Sequence, residues 1–197
     1  TLYQNYTLEN ERSDNGLLAR KGNMTSGFNT RYSDNASVFL EERYSHGDIP
    51  TGLTHSSGVN LVVIERLNLG ADLSFGSLKD PQTAARIDRK TVGGRIGYGF
   101  DYVKVSSALE YRVDENELPD TSLTKRTTWL WKNNLKHQIS PDWRFLGKFN
   151  YSVSESSQGN FYDGNYTEAV LGFGYRPIYY DRLNVLLKYT YFYNLPP

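Results

Sequence analysis

Four segments between residues 126 and 194 alternate apolar and polar positions, and turn residues separate them. Successive side chains of a β-strand point to opposite faces, so a period of two produces one apolar face and one polar face. Soluble sandwich strands usually have about 5–6 residues, whereas a tilted strand needs about 9–11 to cross a bilayer. The four segments have the longer, membrane-crossing length. Their apolar positions are Trp129, Trp131, Leu135, Ile139, Phe145, Phe149, Tyr151, Val153, Ala169, Leu171, Phe173, Tyr175, Leu183, Val185, Leu187, Tyr189, Tyr191 and Tyr193.

The same alternation, less regular, runs back to the beginning of the chain and predicts about eleven strands in all. The predicted connections alternate in length. Long loops are expected at 11–21, 46–56, 79–88, 114–125 and 157–166, and short turns near residues 34, 68, 101, 141 and 181. Short turns on one side and long loops on the other are typical of outer-membrane barrels. The sequence therefore predicts an all-β fold, an antiparallel up-and-down transmembrane β-barrel of about 11–12 strands.

The odd strand count predicts that this barrel is incomplete. An antiparallel bacterial barrel closes with an even number of strands. The chain also ends in Asn194-Leu195-Pro196-Pro197, without the terminal aromatic residue that such barrels commonly carry. We therefore expect residues 1–197 to form a single outer-membrane β-barrel domain within a longer polypeptide. Further sequence or another chain would supply the missing strand.

Composition agrees with a protein that has many residues at a boundary between water and an apolar phase. Aromatic residues make up 14 % of the chain, with 16 Tyr against 9 Phe and 3 Trp. Tyr suits such a boundary because its ring is buried while its hydroxyl stays hydrated. The mean hydropathy of −0.60 does not argue against a barrel, because polar residues facing the lumen dilute the apolar band. The chain has no Cys and no net charge, which excludes disulfides and gives no sign of a nucleic-acid partner.

Several stretches carry a resemblance to a group of known proteins. They are HGDIPTGLTH (46–55), LKDPQTAARIDRKTV (78–92), RTTWLWKNNLKHQISPDWRFLGKFNYS (126–152), FYDGNYTEAVLGFGYRP (161–177) and YDRLNVLLKYTYFYNLP (180–196). Together they resemble the C-terminal outer-membrane β-barrel region of large, poorly characterised proteobacterial envelope proteins. The resemblance covers most of the chain from about residue 30 onward. It implies the fold and an outer-membrane location, and it implies no enzymatic activity.

The polar face is predicted to be strongly basic. On the assigned phase, the lumen-lining basic residues are Arg31, Arg43, Arg66, Arg89, Arg95, Lys104, Arg112, Lys132, Lys136, Arg144, Lys148, Arg176 and Lys188, whereas most of the acids fall in the long loops. One interpretation is a pore that favours anions, because rings of Arg and Lys raise the local anion concentration. The alternative is a filled lumen, in which these bases pair with acids on neighbouring strands.

The aromatic residues of the other face have two interpretations. They could form a stacking platform for sugars, but their phase places them toward lipid. The preferred prediction is a lipid-facing girdle at the membrane interface. Its members are Trp129, Trp131, Trp143, Phe145, Tyr175, Tyr189, Tyr191 and Tyr193.

Catalytic and cofactor motifs are weak. His46, Asp48, His55 and Ser56 fall in one predicted loop and could make a hydrolase site, but nothing in the sequence fixes a base against a nucleophile. Residues 93–99 are rich in glycine, yet they lack the Gly-Lys-Ser/Thr ending of a phosphate-binding loop and open no helix. We expect no enzyme activity, no metal and no cofactor.

The sequence thus predicts a pore, or the membrane anchor of a larger envelope protein, in the bacterial outer membrane. The alternative is a barrel subunit or interaction module of a multi-chain envelope complex, and an outer-membrane hydrolase is the least favoured reading. The expected partners are the lipid bilayer and its lipopolysaccharide, anionic solutes, and further barrel strands from the same or another chain.

Overall fold

The computed structural model describes residues 1–12, 18–119, 122–157, 165–177, 179 and 183–194, and these form one antiparallel sheet. Every strand pairs with its neighbours in the sequence, so the order is β1 to β11 without a crossover. The strands are β1 (Leu2–Arg12), β2 (Leu18–Ser33), β3 (Ala36–Gly47), β4 (Thr51–Ile64), β5 (Leu67–Lys79), β6 (Arg86–Gly99), β7 (Val103–Glu117), β8 (Leu123–Gln138), β9 (Trp143–Ser156), β10 (Tyr166–Tyr175) and β11 (Val185–Asn194). The prediction of an all-β, antiparallel, up-and-down sheet with eleven strands is confirmed.

Several loops were predicted too long, because strand pairing continues into both of their ends. The predicted loop at 46–56 belongs mostly to strands, since β3 ends at Gly47 and β4 begins at Thr51. The loops predicted at 79–88 and 114–125 shrink to 80–85 and 118–122. Backbone N–H and C=O groups favour hydrogen bonding to a neighbouring strand wherever one is in register, even in polar sequence. The predicted contrast between long and short connections is therefore weaker than expected.

The remaining connections divide between confirmed turns and corrections. Turns are found at 34–35, 100–102 and 139–142, near their predicted positions. The short turn predicted near Asn68 is found slightly earlier, at Glu65 and Arg66, and Asn68 itself lies in β5. The turn predicted near residue 181 lies outside the described residues, as do most of the loops at 11–21 and 157–166.

One face of the sheet is mainly apolar and the other is mainly polar, as the alternation predicts. Side chains of the polar face are the more deeply buried. Register partners share a face from strand to strand, as in the series Leu109, Trp131, Tyr151 and Thr167 on β7 to β10. The strand side chains that are buried belong to polar residues of the opposite face, including Ser152 at 2 % exposure and Thr128 at 3 %. Among the described residues the only buried hydrophobic residue is Ala85. This sheet therefore covers polar groups and exposes apolar ones, the reverse of a soluble fold.

The first and last strands are the edges of the sheet in the part of the chain that the structure describes. β1 pairs with β2 and β11 pairs with β10. In an antiparallel sheet of eleven consecutive strands the first and last run in the same direction. A single further antiparallel strand could therefore pair with both edges.

Candidate functional site: the polar face of the sheet

Most of the bases that were predicted to line a lumen lie on the polar face of the strands. They are Arg31, Arg43, Arg89, Arg95, Lys104, Arg112, Lys132, Lys136, Arg144, Lys148 and Lys188. Two members of the predicted set lie in connections instead of strands. Arg66 is in the turn before β5, where its Nη2 is 2.6 Å from Oδ1 of Asp101. Arg176 follows the end of β10, and its backbone N–H donates to the carbonyl oxygen of Asp142 at 2.8 Å.

The most enclosed charge on this face is Asp114, which three arginines surround. Nε and Nη2 of Arg89 donate to Oδ1 and Oδ2 of Asp114 at 2.7 and 3.3 Å. Nε of Arg112 lies 3.8 Å from Oδ2 of the same carboxylate. Arg126 on β8 is the register partner of Asp114 on the other side. Asp114, which is 7 % exposed, thus links an arginine of β6 to an arginine of β7. Its pair with Arg89 is bidentate.

Sequence reasoning missed this cluster because Asp114 was assigned to the start of a predicted loop, while Arg126 was assigned to the start of the strand that follows it. A signal was present: Glu110, Arg112, Asp114 and Asn116 continue the polar phase of β7 without interruption. Continuing that alternation would have placed Asp114 on the polar face. The spacing of polar residues is therefore informative even where no apolar residue alternates with them.

The middle of the polar face is neutralised by cross-strand pairs. Nζ of Lys148 donates to both carboxylate oxygens of Glu168 at 3.0 Å, and the amide of Asn150 donates to the same carboxylate at 2.8 Å. Nζ of Lys132 lies 3.6 Å from Oε2 of Glu110. These pairs match the alternative interpretation, in which bases find acids on neighbouring strands.

Glycines on this face allow side chains to reach the second strand away. Arg95 on β6 and Asn60 on β4 are both register partners of Gly70 on β5, and a guanidinium nitrogen of Arg95 donates to Oδ1 of Asn60. A Cβ on Gly70 would lie 2.3 Å from Nε of Arg95. The same guanidinium lies 3.7 Å from Asp72. The absence of a side chain at Gly70 therefore makes the contact across β5 possible.

A row of lysines crosses the sheet close to the turns at 100–102 and 139–142. Lys104 and Lys136 are direct register partners, and the same row continues through Leu146 and Gly172 to Lys188. Within the described chain, no carboxylate oxygen lies within 4 Å of Nζ of these three lysines. We call Lys104, Lys136 and Lys188 the lysine row.

A depression of about 270 Å³ lies between Lys136, Lys148 and Lys188. Its floor on the polar face comes from Leu146, Val170 and Gly172. We call this depression the lysine pocket.

The predicted girdle residues all lie on the apolar face, and several of them contact an aromatic ring on a neighbouring strand. The ring centroids of Trp143 and Tyr175 are 4.8 Å apart, and those of Tyr111 and Trp129 are 4.6 Å apart. The indole N–H of Trp131 donates to Ser107 at 2.8 Å. Their contact with lipid stays a prediction. Also on this face are the remaining predicted members, Phe145, Tyr189, Tyr191 and Tyr193.

The structure separates the residues of the predicted hydrolase site. His46 and His55 lie on the apolar face, where the His46 ring stacks between Tyr6 and Tyr44 and Nδ1 of His55 lies 3.1 Å from Oε1 of Glu42. Ser56 points to the opposite face because it follows His55 directly in β4. A nucleophile and a base on opposite faces of a sheet cannot exchange a proton directly. No group of metal-ligating side chains is present among the residues described.

The connection at 80–85 is ordered by one carboxylate. Oδ1 of Asp80 accepts hydrogen bonds from the backbone N–H groups of Gln82, at 2.8 Å, and Thr83, at 3.3 Å. The Gln82 hydrogen bond, followed by those from Thr83, holds the pKa of the Asp80 carboxyl below its ordinary value of 3.8. This connection lies outside the apolar band of the sheet, and its hydrogen bonds favour the charged form of the Asp80 carboxyl.

Comparison with known proteins adds no family to these observations. No protein family matches the chain, and no curated protein matches it significantly. Among the described residues there is no helix with the length and apolar character that a membrane crossing requires.

Proposed function

We propose that this sheet is the wall of a bacterial outer-membrane β-barrel, and that its polar face lines a basic lumen through which small anions pass. One observation carries the proposal: large apolar side chains predominate on one face of the sheet and stay exposed, while the buried strand side chains belong to polar residues of the other face. Trp129 and Leu187 are 50 % and 63 % exposed, and Ala85 is the sole buried hydrophobic residue in the described part of the chain. A face of this size in water would cost far more free energy than a folded domain has available.

The extent of the apolar band supports a membrane in particular. On β7 the apolar phase runs over residues 103–113 and ends where Glu115 takes the next position. On β9 it runs over residues 143–153 and ends at Glu155. A tilted strand needs about 9–11 residues to cross the hydrocarbon region, and both runs have that length. The two changes from apolar to charged lie within two residues of each other in the strand register, since Glu155 shares a row with Val113 through Thr127.

The charge of the polar face supports preference for anions. Its mid-sheet lysines are paired with acids, whereas the lysine row and Arg144 have no carboxylate within 4 Å among the described residues. The excess positive charge is thus concentrated toward one end of the strands. Basic side chains that line a pore raise the anion concentration near them and repel cations.

The two sheet edges favour a second candidate, a barrel subunit of a multi-chain envelope complex. β1 and β11 run in the same direction, and within the described residues each has a strand partner on one side only. Such groups are very costly in hydrocarbon, so a membrane-inserted sheet needs a partner for each edge. A strand from another chain, or from further sequence of the same polypeptide, would satisfy both.

Planar-bilayer recording tests the proposal and separates the two candidates. We expect the chain, folded in detergent and added alone to a bilayer, to give discrete current steps. A KCl gradient should then give a reversal potential of the sign that marks chloride as the more permeant ion. Insertion without current would favour a membrane anchor, and current only in the presence of a second chain would favour the multi-chain complex. A chain that remains in water as a soluble monomer would contradict both.

A further inference from the structure

Polar side chains interrupt the apolar face of the sheet on its first four strands. Four of them are successive register partners on β1 to β4, and a fifth lies on β4 in the adjoining row. We call these residues the polar island: Gln4, Ser26, Glu42, His55 and Ser57. At its centre an acid and a base lie in contact, since Nδ1 of His55 is 3.1 Å from Oε1 of Glu42. The apolar side chains around the island are Leu2, Phe28, Leu40 and Phe75.

The polar island lies at a depth where other strands of the same face are uncharged. The short turns of an outer-membrane barrel lie on one side of the bilayer, so depth is counted along each strand from its short turn. On β7 this face is uncharged over residues 103–113, and on β9 over residues 143–153, directly after the turns. On β3 only Ala36, Val38 and Leu40 lie between the turn and Glu42 on this face. In the proposed barrel Glu42 therefore faces hydrocarbon.

Polar groups that face hydrocarbon need a polar partner. Lipid tails offer no hydrogen bond, and polar side chains on lipid-facing surfaces hydrogen-bond across to other membrane-spanning segments. The contact with His55 directs the Glu42 carboxylate along the row of the sheet instead of toward the lipid headgroups. The Glu42 side chain is nevertheless 62 % exposed. The island therefore lacks a facing protein surface.

A second copy of this chain fits the charge of the polar island. Consider a two-fold axis along the membrane normal that passes between β3 and β4. It keeps every residue at its depth and sets β3 of each copy opposite β4 of the other. Glu42 of each copy then faces His55 of the other, because the two residues are register partners on those strands. An acid thus meets a base twice, as the reciprocal contacts of a two-fold interface require.

The sizes of the side chains fit the same symmetry. Leu40 and Ser57 are register partners, so the large Leu40 of each copy faces the small Ser57 of the other. In the row of Glu42, Phe75 on β5 faces Ser26 on β2. Leu40 and Phe75 are 54 % and 56 % exposed, and a depression of about 690 Å³ beside the serines gives them room. Large side chains of one copy can thus enter gaps in the other.

We propose that the polar island is the contact surface of a two-fold symmetric dimer of this chain in the outer membrane. The inference rests on the proposed membrane location, and it does not depend on the pore. Dimerisation needs no current, so it is measured in detergent without a conducting bilayer.

Sedimentation equilibrium of the chain, folded in density-matched detergent, measures the dimer. We expect the unaltered chain to show a monomer–dimer equilibrium. E42L/H55L should raise the dimer dissociation constant at least about tenfold, because it removes both polar contacts across the axis. Asn133→Leu is the matched control, since it makes a polar residue apolar on the same face but on β8, outside the island. It should change the dissociation constant less than about twofold.

A reciprocal exchange of sizes tests the position of the axis. S57L alone sets Leu40 of each copy against a second large side chain and should weaken the dimer. The exchanged variant L40S/S57L again sets a large side chain against a small one and should recover it. Urea unfolding of the dilute monomer should be nearly the same for the unaltered chain and S57L. That comparison separates a contact between copies from the stability of one chain.

Three outcomes would overturn the interface. They are a chain that stays monomeric at every concentration, equal weakening by E42L/H55L and Asn133→Leu, and failure of L40S/S57L to recover what S57L loses. Native mass spectrometry examines the other occupant, because a monomer that carries lipopolysaccharide and loses it in E42L/H55L would mark a lipid site instead. A monomer that conducts would remove the dimer and keep the pore, whereas a dimer without current would keep the interface and remove the pore.

Discussion

The hydroxyl of Tyr3 on β1 donates a hydrogen bond of 2.9 Å to Oε2 of Glu41 on β3, across the whole width of β2. Gly27 on β2 is the register partner of both residues. The Tyr3 ring lies over it, since a Cβ at Gly27 would be 2.3 Å from Cζ of the ring. The edge strand is thus attached to the sheet by a side chain as well as by its own backbone. This matters because β1 has a neighbour on only one side among the described residues.

Gly27→Ala should destabilise the attachment of the edge strand. The added methyl group must push the end of the Tyr3 ring away, which removes the hydrogen bond to Glu41 and costs about 0.5–1.5 kcal/mol of unfolding free energy. Urea unfolding of the detergent-folded chain measures this change. Gly174→Ala is the control, because nothing lies within 4 Å of a Cβ at that position. Equal stability of the two variants would show that Tyr3 does not depend on the gap at Gly27.

Leu171→Arg should be costly in a membrane. Leu171 lies in the middle rows of the apolar face, 46 % exposed, and a charge at the bilayer midplane costs about 2–4 kcal/mol on a lipid-facing strand. The free energy of unfolding from lipid vesicles is the measurement. Leu130→Arg makes the same substitution on the polar face, where its register partner is Glu110, and should be mild. If Leu130→Arg costs as much as Leu171→Arg, the assignment of the apolar face to lipid is wrong.

Asp114→Ala should destabilise the sheet more than loss of any exposed acid on the same face. It leaves Arg89 and Arg112 without their shared carboxylate on the enclosed side of the sheet. We expect a loss of about 2–4 kcal/mol, somewhat below the cost of breaking a fully buried pair because Arg89 is partly exposed. Chemical unfolding in detergent provides the value.

The control for Asp114→Ala is Asp72→Ala, which removes the longer and more exposed pair with Arg95. Its expected cost is about 0–1 kcal/mol. A larger loss for Asp72→Ala than for Asp114→Ala would show that enclosure does not set the strength of these pairs.

The connection at 80–85 should lose order in acid. The folded pKa of Asp80 is lowered from 3.8, so its stabilising hydrogen bonds are fully present above pH 3.8 and are lost as the pH falls through the lower folded value. The amide proton shift of Gln82, followed by NMR during an acid titration, should have its midpoint below pH 3.8. Asp80→Asn should abolish this titration. A midpoint at or above 3.8 would mean that the N–H groups of Gln82 and Thr83 do not stabilise the carboxylate.

Alternation in the sequence was enough to assign β-structure and the two faces of β7 to β11. Trp131 and Lys132, or Leu187 and Lys188, must point to opposite sides once the segment is extended, because the geometry of a strand has a period of two. The alternation did not predict where the strands end. The polar stretches around His46 and His55 look like a loop in the sequence. They are strands in the structure because β3 and β4 pair there, with Glu41 opposite Ser56 and Glu42 opposite His55.

The charged clusters depended on tertiary structure because a residue's cross-strand neighbour is a matter of register between strands. Nothing local in the sequence states that Asp114 meets Arg89, which lies 25 residues away, or that Gly27 is the gap over which Tyr3 reaches Glu41. The same holds for Lys104, Lys136 and Lys188, whose common row is the product of four successive strand pairings. The sequence by itself determined which side chains share a face, since that follows from the local backbone. Only the tertiary structure decided which of them meet, since pairing depends on hydrogen bonds between distant segments.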